Sequence, residues 1–292
     1  MNYVIENNQL KVTISSVGAE LQSVYGKTTN FEYLWQGNNE FWGKRAVSIF
    51  PICGRLFEGK YTYNGKTYSL PCHGFASSSQ FEVEYSSCDK IIFTLLSNEN
   101  TKEVYPFDFK FSIEYSLDGA KLKTKFVVEN TGKDTLPFSL GGHPGFNVPL
   151  ENGVEFNEHY LEFSENASPQ SLIITPDGFY NGTKDYSLVN GKIINLSHEL
   201  FDIDGIFLTN MAKSVTLKTD KSKRFVKVSF PDMKYVGFWH AAKKPAPYIC
   251  IEPWAGIPST HGIVDDFASK AEFTHLKSGE TYENHFDIEV NE

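Results

Sequence analysis

Two stretches of the chain set a titratable side chain in a setting suited to proton transfer. In Phe138-Ser-Leu-Gly-Gly-His-Pro-Gly-Phe146 an apolar run stops at a glycine pair, and His143 follows ahead of Pro144. Glycine admits backbone angles and close approaches that a side chain forbids. Proline fixes its own φ and pushes the residue before it toward an extended conformation. His143 is therefore expected at a strand end, aimed by rigid neighbours with little bulk beside it; a tight turn capped by a histidine is the alternative. Glu252 closes the apolar run Tyr248-Ile-Cys-Ile-Glu252 and precedes Pro253-Trp254. A carboxylate there faces partial burial, which disfavours its charged form, raises its basicity and suits a general base. An ordinary ion pair is the competing reading.

Around these two, three more residues are candidates for binding. Trp254 offers a flat apolar face of the kind on which the C–H faces of sugar rings pack. Arg55 follows Gly54 in a chain whose only arginines are Arg45, Arg55 and Arg224. Where lysine is the default cation, an arginine suggests use of its planar donor fork on hydroxyls or a carboxylate, with a structural salt bridge as the alternative. His73, between Cys72 and Gly74, could hydrogen-bond a ligand hydroxyl through either ring nitrogen, or be a satisfied core histidine. Asp202 and Asp204 flank Ile203, and taken singly each reads as a turn residue before Gly205. His240 follows an apolar run and is expected to be buried, while His159, His198, His261, His275 and His285 read as structural or surface residues.

Other chemistries lack their signatures. The chain contains no Gly-rich phosphate loop, no GxSxG, no HExxH and no Cys-rich zinc spacing, so no metal and no cofactor is expected. The net charge of -9 argues against a nucleic acid partner. The four cysteines are scattered and read as reduced thiols. With no signal peptide and no membrane-spanning run visible, the expectation is a cytoplasmic protein with no membrane partner, a monomer or homodimer acting on a small molecule. Histidine, glutamate, arginine and aspartate in an aromatic setting make a kit for proton transfer on a polar, neutral ligand.

Strands must position these groups. From Phe107 to Leu117 apolar and polar residues alternate over eleven positions, the signature of a half-buried strand. Asp118-Gly119 turns the chain, and the run from Lys121 returns with the same alternation. Asn64-Gly65 between Tyr61-Thr-Tyr63 and Lys66-Thr-Tyr68 predicts a type I′ hairpin. Tyr235–Trp239 and Tyr248–Glu252 are near-continuous apolar runs, as expected of strands buried on both faces. Only Ser197–Asp202 suggests a helical turn. Strands recurring between turn signals predict an all-β chain, a single domain over residues 1–292 with two large antiparallel sheets and a ligand cleft across one of them.

Taken together the motifs are specific. Gly54-Arg55, the Gly59–Tyr68 hairpin, His73-Gly-Phe-Ala76, Gly142-His-Pro-Gly-Phe-Asn147, Asp204-Gly205 and Ile251-Glu-Pro-Trp-Ala-Gly256, in this order, resemble the aldose 1-epimerase (galactose mutarotase-like) family across essentially the whole chain, and its LacX-like branch most. The resemblance implies an antiparallel β-supersandwich and cofactor-free interconversion of the α and β anomers of a hexose. It makes Glu252 the general base and His143 the general acid, with Arg55, His73 and Asp204 binding sugar. The well-studied galactose mutarotases carry Asn-His-x-Tyr-Phe where this chain has Gly142-His-Pro-Gly-Phe146, so a preference for galactose does not carry over. A sugar-binding or sugar-sensing protein without catalysis and a hexose-6-phosphate epimerase remain as rival readings, the latter because Lys243 and Lys244 could meet a phosphate. A glycoside hydrolase ranks last for want of paired carboxylates.

Overall fold

The computed structural model describes residues 1–291. The expected hairpin is present: Asn64 and Gly65 both take positive φ, 49° and 74°, the combination that matches strand twist in a two-residue turn. It joins Lys60–Tyr63 to Lys66–Ser69. The alternating run forms the strand Phe109–Asp118, paired antiparallel with Lys121–Asn130 from Phe109↔Asn130 to Asp118↔Lys121.

These two strands lie in a nine-stranded antiparallel sheet. Its order is Ile193–Asn195, Tyr160–Phe163, Ser214–Lys218, Phe225–Ser229, Thr281–Val290, Lys121–Asn130, Phe109–Asp118, Lys90–Leu96 and Glu82–Ser86. A seven-stranded antiparallel sheet packs against it, ordered Tyr180–Asp185, Gln170–Ile174, Ile206–Thr209, Tyr235–Trp239, Tyr248–Trp254, Gly141–Asn147 and Ala46–Ile49. Between the sheets lies one large apolar cluster that takes side chains from both. Phe50 stacks on Phe111 with ring centroids 4.5 Å apart, and Phe163 meets Phe238 edge-on. The all-β sandwich expected from the strand pattern is the observed architecture. Ser197–Asp202 carries the expected helical turn, a 3₁₀ segment at His198–Phe201.

Two elements of the seven-stranded sheet depart from expectation. His143 does not end a strand but lies inside one, Gly141–Asn147, and the neighbouring strand Ala46–Ile49 was not expected at all. Glycine and proline are poor strand formers, yet here crowding selects them. A Cβ on Gly141 would lie 2.7 Å from the carbonyl oxygen of Pro253, and one on Gly142 would lie 2.6 Å from the ring of Phe286 in the opposite sheet. A helix at Glu99–Val104 was also unforeseen; it spans six residues, and its capping box between Asn98 and Thr101 is the only local signal for it.

Candidate active site

The seven-stranded sheet is apolar on both faces. Along Tyr248–Trp254, Ile249 and Ile251 point into the main core, while Tyr248, Cys250 and Trp254 join clusters on the opposite, outer face. Alternation puts Glu252 on that outer face with them. The adjoining strand pairs Gly141 with Trp254 and Gly145 with Cys250, and the same register sets residue 143 opposite residue 252. The register thus delivers His143 and Glu252 to one face as a cross-strand pair. His143 Nε2 lies 3.3 Å from Glu252 Oε2, with both side chains almost fully buried. On the other side Glu252 is opposite Gly237, where a Cβ would press on Phe207 and on the Cβ of Glu252.

A cavity of about 270 Å³ opens above this pair, and Arg55, His73, His143, Asp204, Glu252 and Trp254 all line it. The structure therefore brings these six residues to one place. Each has a physical anchor. Gly54 N–H donates to His73 Nδ1 at 3.1 Å, so the remaining ring proton sits on Nε2 and the imidazole presents a donor. His73 holds a positive φ of 64°, uncommon for a non-glycine residue and a mark of local constraint. Asp204 accepts from the Gly205 N–H at 2.7 Å. The Arg55 guanidinium, at the mouth, has no ion-pair partner among the described residues, so the salt-bridge reading of this residue does not apply.

Sequence reasoning missed the aromatic walls. Trp42 stacks on the His143 imidazole with centroids 4.8 Å apart at 28°, and Trp239 meets it edge-on at 5.7 Å. Phe207 packs on Trp254 at 4.8 Å. The available signal was scarcity: the chain has four tryptophans, and three of them line this cavity. Residues considered and left undecided also find places. His240 is buried away from the cavity, with its Nε2 3.1 Å from His198 Nδ1. Asp202, Lys243 and Lys244 border a separate surface depression, so neither lysine stands ready for a ligand in this cavity.

Burial dominates the electrostatics. It pushes the Glu252 carboxyl well above the usual carboxylate range, and the neighbouring charge of Asp204 adds to the shift. It holds His143 well below the ordinary histidine value, reinforced by His73. His73 falls to about 4, through burial first and then the Arg55 charge. Asp204 is raised, again by burial, against opposing effects from the Gly205 N–H and Arg55. Removing water penalises both ions of a pair, so burial favours a carboxylic acid beside a neutral imidazole. That state holds the same number of protons as a carboxylate beside an imidazolium, and one proton moved between the two groups interconverts them. Among the described residues no group hydrogen-bonds to either Glu252 oxygen, to His143 Nδ1 or to Trp254 Nε1, although buried polar groups ordinarily find partners. His143, Cys250 and Glu252 form the one group of potential metal ligands compact enough for a cation among the described residues. Burial raises the Cys250 thiol well above its ordinary value, against the thiolate that metal ligation needs.

Known proteins resemble the chain along its whole length. A family profile described as aldose 1-epimerase matches residues 1–289. The chromosomal protein LacX of Lactococcus lactis subsp. lactis is 30% identical, with 99% of each chain covered. Galactose mutarotase of Bos taurus is 25% identical over 76% of this chain and 69% of its own. Among solved structures, a galactose mutarotase related enzyme from Lactobacillus acidophilus superposes with a TM-score of 0.95 at 38% identity, covering 100% of this chain and 98% of that one.

Proposed function

We propose, for a chain that belongs to the aldose 1-epimerase family, that it catalyses mutarotation of an unphosphorylated hexose in the cytoplasm, with Glu252 and His143 as the acid–base pair. The observation that carries this reading is the cross-strand pair itself, 3.3 Å apart on the floor of the cavity. A hemiacetal carbon bears two oxygens, the anomeric hydroxyl and the ring oxygen. Two proton-transfer groups on adjacent strands can address both at once. Glu252 as carboxylate takes the proton of the anomeric hydroxyl while His143 as imidazolium gives one to the ring oxygen, and the C1–ring oxygen bond breaks. The sugar is then an open aldehyde and the dyad is in its neutral form. Rotation about C1–C2 presents the other carbonyl face, and the reverse transfers close the ring as the other anomer. The dyad regains its starting state in each cycle, so no external acid, base or cofactor enters the balance. Each proton-transfer group typically contributes ~10²–10⁴-fold.

The surrounding groups fit a neutral polyol. His73 Nε2–H and the Arg55 fork donate, Asp204 accepts, and Trp254 and Phe207 supply apolar faces. Among the described residues Arg55 is the one permanent cation on the lining, which is little for a phosphate dianion. The test is mutarotation of fresh α-anomer followed by polarimetry or one-dimensional NMR, using galactose, glucose and glucose 6-phosphate. Acceleration with the neutral sugars is expected. Sugar binding without acceleration would favour a sugar-sensing protein instead, and acceleration with the phosphate alone would favour the hexose-6-phosphate reading.

A further inference from the structure

The acid–base pair borders the cavity yet is nearly closed off from it. Glu252 is 1% exposed and His143 8%, and both carboxylate oxygens are buried together with His143 Nδ1. A general base has to come within hydrogen-bond reach of the proton it takes, so a wall of the cavity has to move before a sugar oxygen meets Glu252. Phe207, Trp239 and Trp254 are fixed in strands of the seven-stranded sheet. Trp42, which covers the face of the His143 ring, is not. It ends a short hairpin in which the Asn38 N–H donates to the Trp42 carbonyl at 3.1 Å and the Phe41 N–H to the Asn38 carbonyl at 2.9 Å. This hairpin stands outside both large sheets.

Glycines flank the hairpin on both sides, Gly37 with a φ of 74° and Gly43, and small residues at the ends of a segment can absorb the backbone change of a hinge. The tip, Asn38 to Glu40, is exposed, whereas Phe41 and Trp42 are half-buried. These two rings pack against a buried cluster that includes Trp35, Tyr248 and Cys250. A Cβ on Gly145, the cross-strand neighbour of Cys250, would lie 3.1 Å from the Trp42 ring, so the indole roofs the strand pair at the level of that thiol. Cys250 is fully buried as a result. Two contacts fasten the hairpin. The Trp35 Nε1–H donates to the Trp42 carbonyl at 2.9 Å. Lys244 reaches across from the loop between Trp239 and Tyr248, its ammonium donating to the Glu40 carbonyl and lying 6.0 Å from the centre of the Phe41 ring. A charged donor makes the stronger kind of hydrogen bond, and the ring face adds a cation–π attraction. Lys244 thereby ties the hairpin to the strands that carry Trp239 and Glu252.

We infer that the Asn38–Trp42 hairpin is a gate over the acid–base pair and that Lys244 is its latch, a positioning residue that holds Trp42 on His143 during the proton transfers. Its kinetic consequences rest on the mutarotase reading. The experiment follows alkylation of Cys250 by iodoacetamide in the folded protein, resolved by peptide mass spectrometry, in the wild type, Lys244→Met, Lys244→Arg and Trp42→Ala. Cys53, buried and held by Ser139 and Leu140, reports opening of the whole fold. Lys244→Met should raise the Cys250 rate about threefold or more with Cys53 unchanged. Lys244→Arg, which keeps a charged donor, should return it to the wild-type rate, and Trp42→Ala should exceed both. In mutarotation of galactose and glucose, Lys244→Met should lower kcat by a similar factor without raising KM, because the stack on His143 is closed less often while entry is easier. A Cys250 rate unmoved in Lys244→Met, or rising only in step with Cys53, overturns the latch, and a rate unmoved in Trp42→Ala overturns the gate. A raised KM at unchanged kcat also overturns the inference, since it would put Lys244 on the sugar. If no sugar is turned over, the mutarotase reading fails by itself, and the alkylation rates, which need no substrate, still decide the gate.

Discussion

The indole of Trp42 lies flat against the imidazole of His143, with ring centroids 4.8 Å apart at 28°. The stack holds the ring toward Glu252 and contributes to the burial that lowers the His143 pKa. Protonation of the dyad beyond its single shared proton abolishes its function, so the acid limb of kcat/KM should lie below the ordinary histidine value near 6.5. Trp42→Ala admits water beside the ring, weakens the desolvation and lets the pKa climb. The acid limb should then move to higher pH. A pH profile of mutarotation in the two proteins checks this, and an unmoved limb would detach the limb from His143.

The Cα of Gly142 faces the Phe286 ring across the sandwich, leaving 2.6 Å for any Cβ. Overpacking of this kind costs about 1–3 kcal/mol, and here the displaced strand carries His143. Gly142→Ala should lower the midpoint of thermal unfolding and reduce kcat together. Phe286→Leu, which clears the space, should restore much of both in the double variant. Recovery of stability without recovery of rate would mean that the strand does not aim the histidine.

His73 combines a left-handed backbone with a donor directed into the cavity. Asparagine tolerates that backbone better than other non-glycine residues, so His73→Asn should fold with little loss. Without the Nε2 donor, KM should rise about three- to tenfold, in line with a neutral hydrogen bond of ~0.5–1.5 kcal/mol, with kcat nearly unchanged. His73→Ala should add a stability loss of about 1–3 kcal/mol, because it leaves the Gly54 N–H without the Nδ1 acceptor it has in the wild type. Thermal melts beside steady-state kinetics separate the two effects.

Much of this site was legible in the chain because its parts announce themselves locally. A glutamate ending the apolar run Tyr248–Glu252 has no use for its charge in packing, and a histidine between Gly142 and Pro144 has no bulk to compete with. The alternation from Phe109 to Asp118 likewise writes its strand into the sequence. What stayed hidden depends on contacts between distant segments. The strand Gly141–Asn147 runs through glycines and a proline with no alternation, and it exists because neighbouring strands and Phe286 leave room for nothing larger. Trp42 and Trp239 reach His143 from segments nearly 200 residues apart, a juxtaposition that no local pattern encodes. Asp202 and Asp204 look equivalent in sequence, yet only Asp204 faces the cavity.

Glu252 should weaken the fold that it serves. Its carboxyl is almost fully buried, with neither oxygen hydrogen-bonded by any of the described residues, and its pKa in the folded state is raised well above 4.5. Below 4.5 the group is protonated in both folded and unfolded chains and contributes no pH dependence. As pH rises past 4.5 the unfolded chain releases the proton and the folded one retains it, so stability falls by up to about 1.4 kcal/mol per pH unit until the folded pKa is reached. Glu252→Gln removes the ionisation at nearly the same volume. Its unfolding midpoint should exceed that of the wild type, and the gap should widen between pH 5 and pH 7. The same variant should lose at least ~10²-fold in mutarotation while still binding sugar. A gap that stays constant with pH would place the Glu252 pKa near its ordinary value and remove the basis for its role as a proton acceptor tuned by burial.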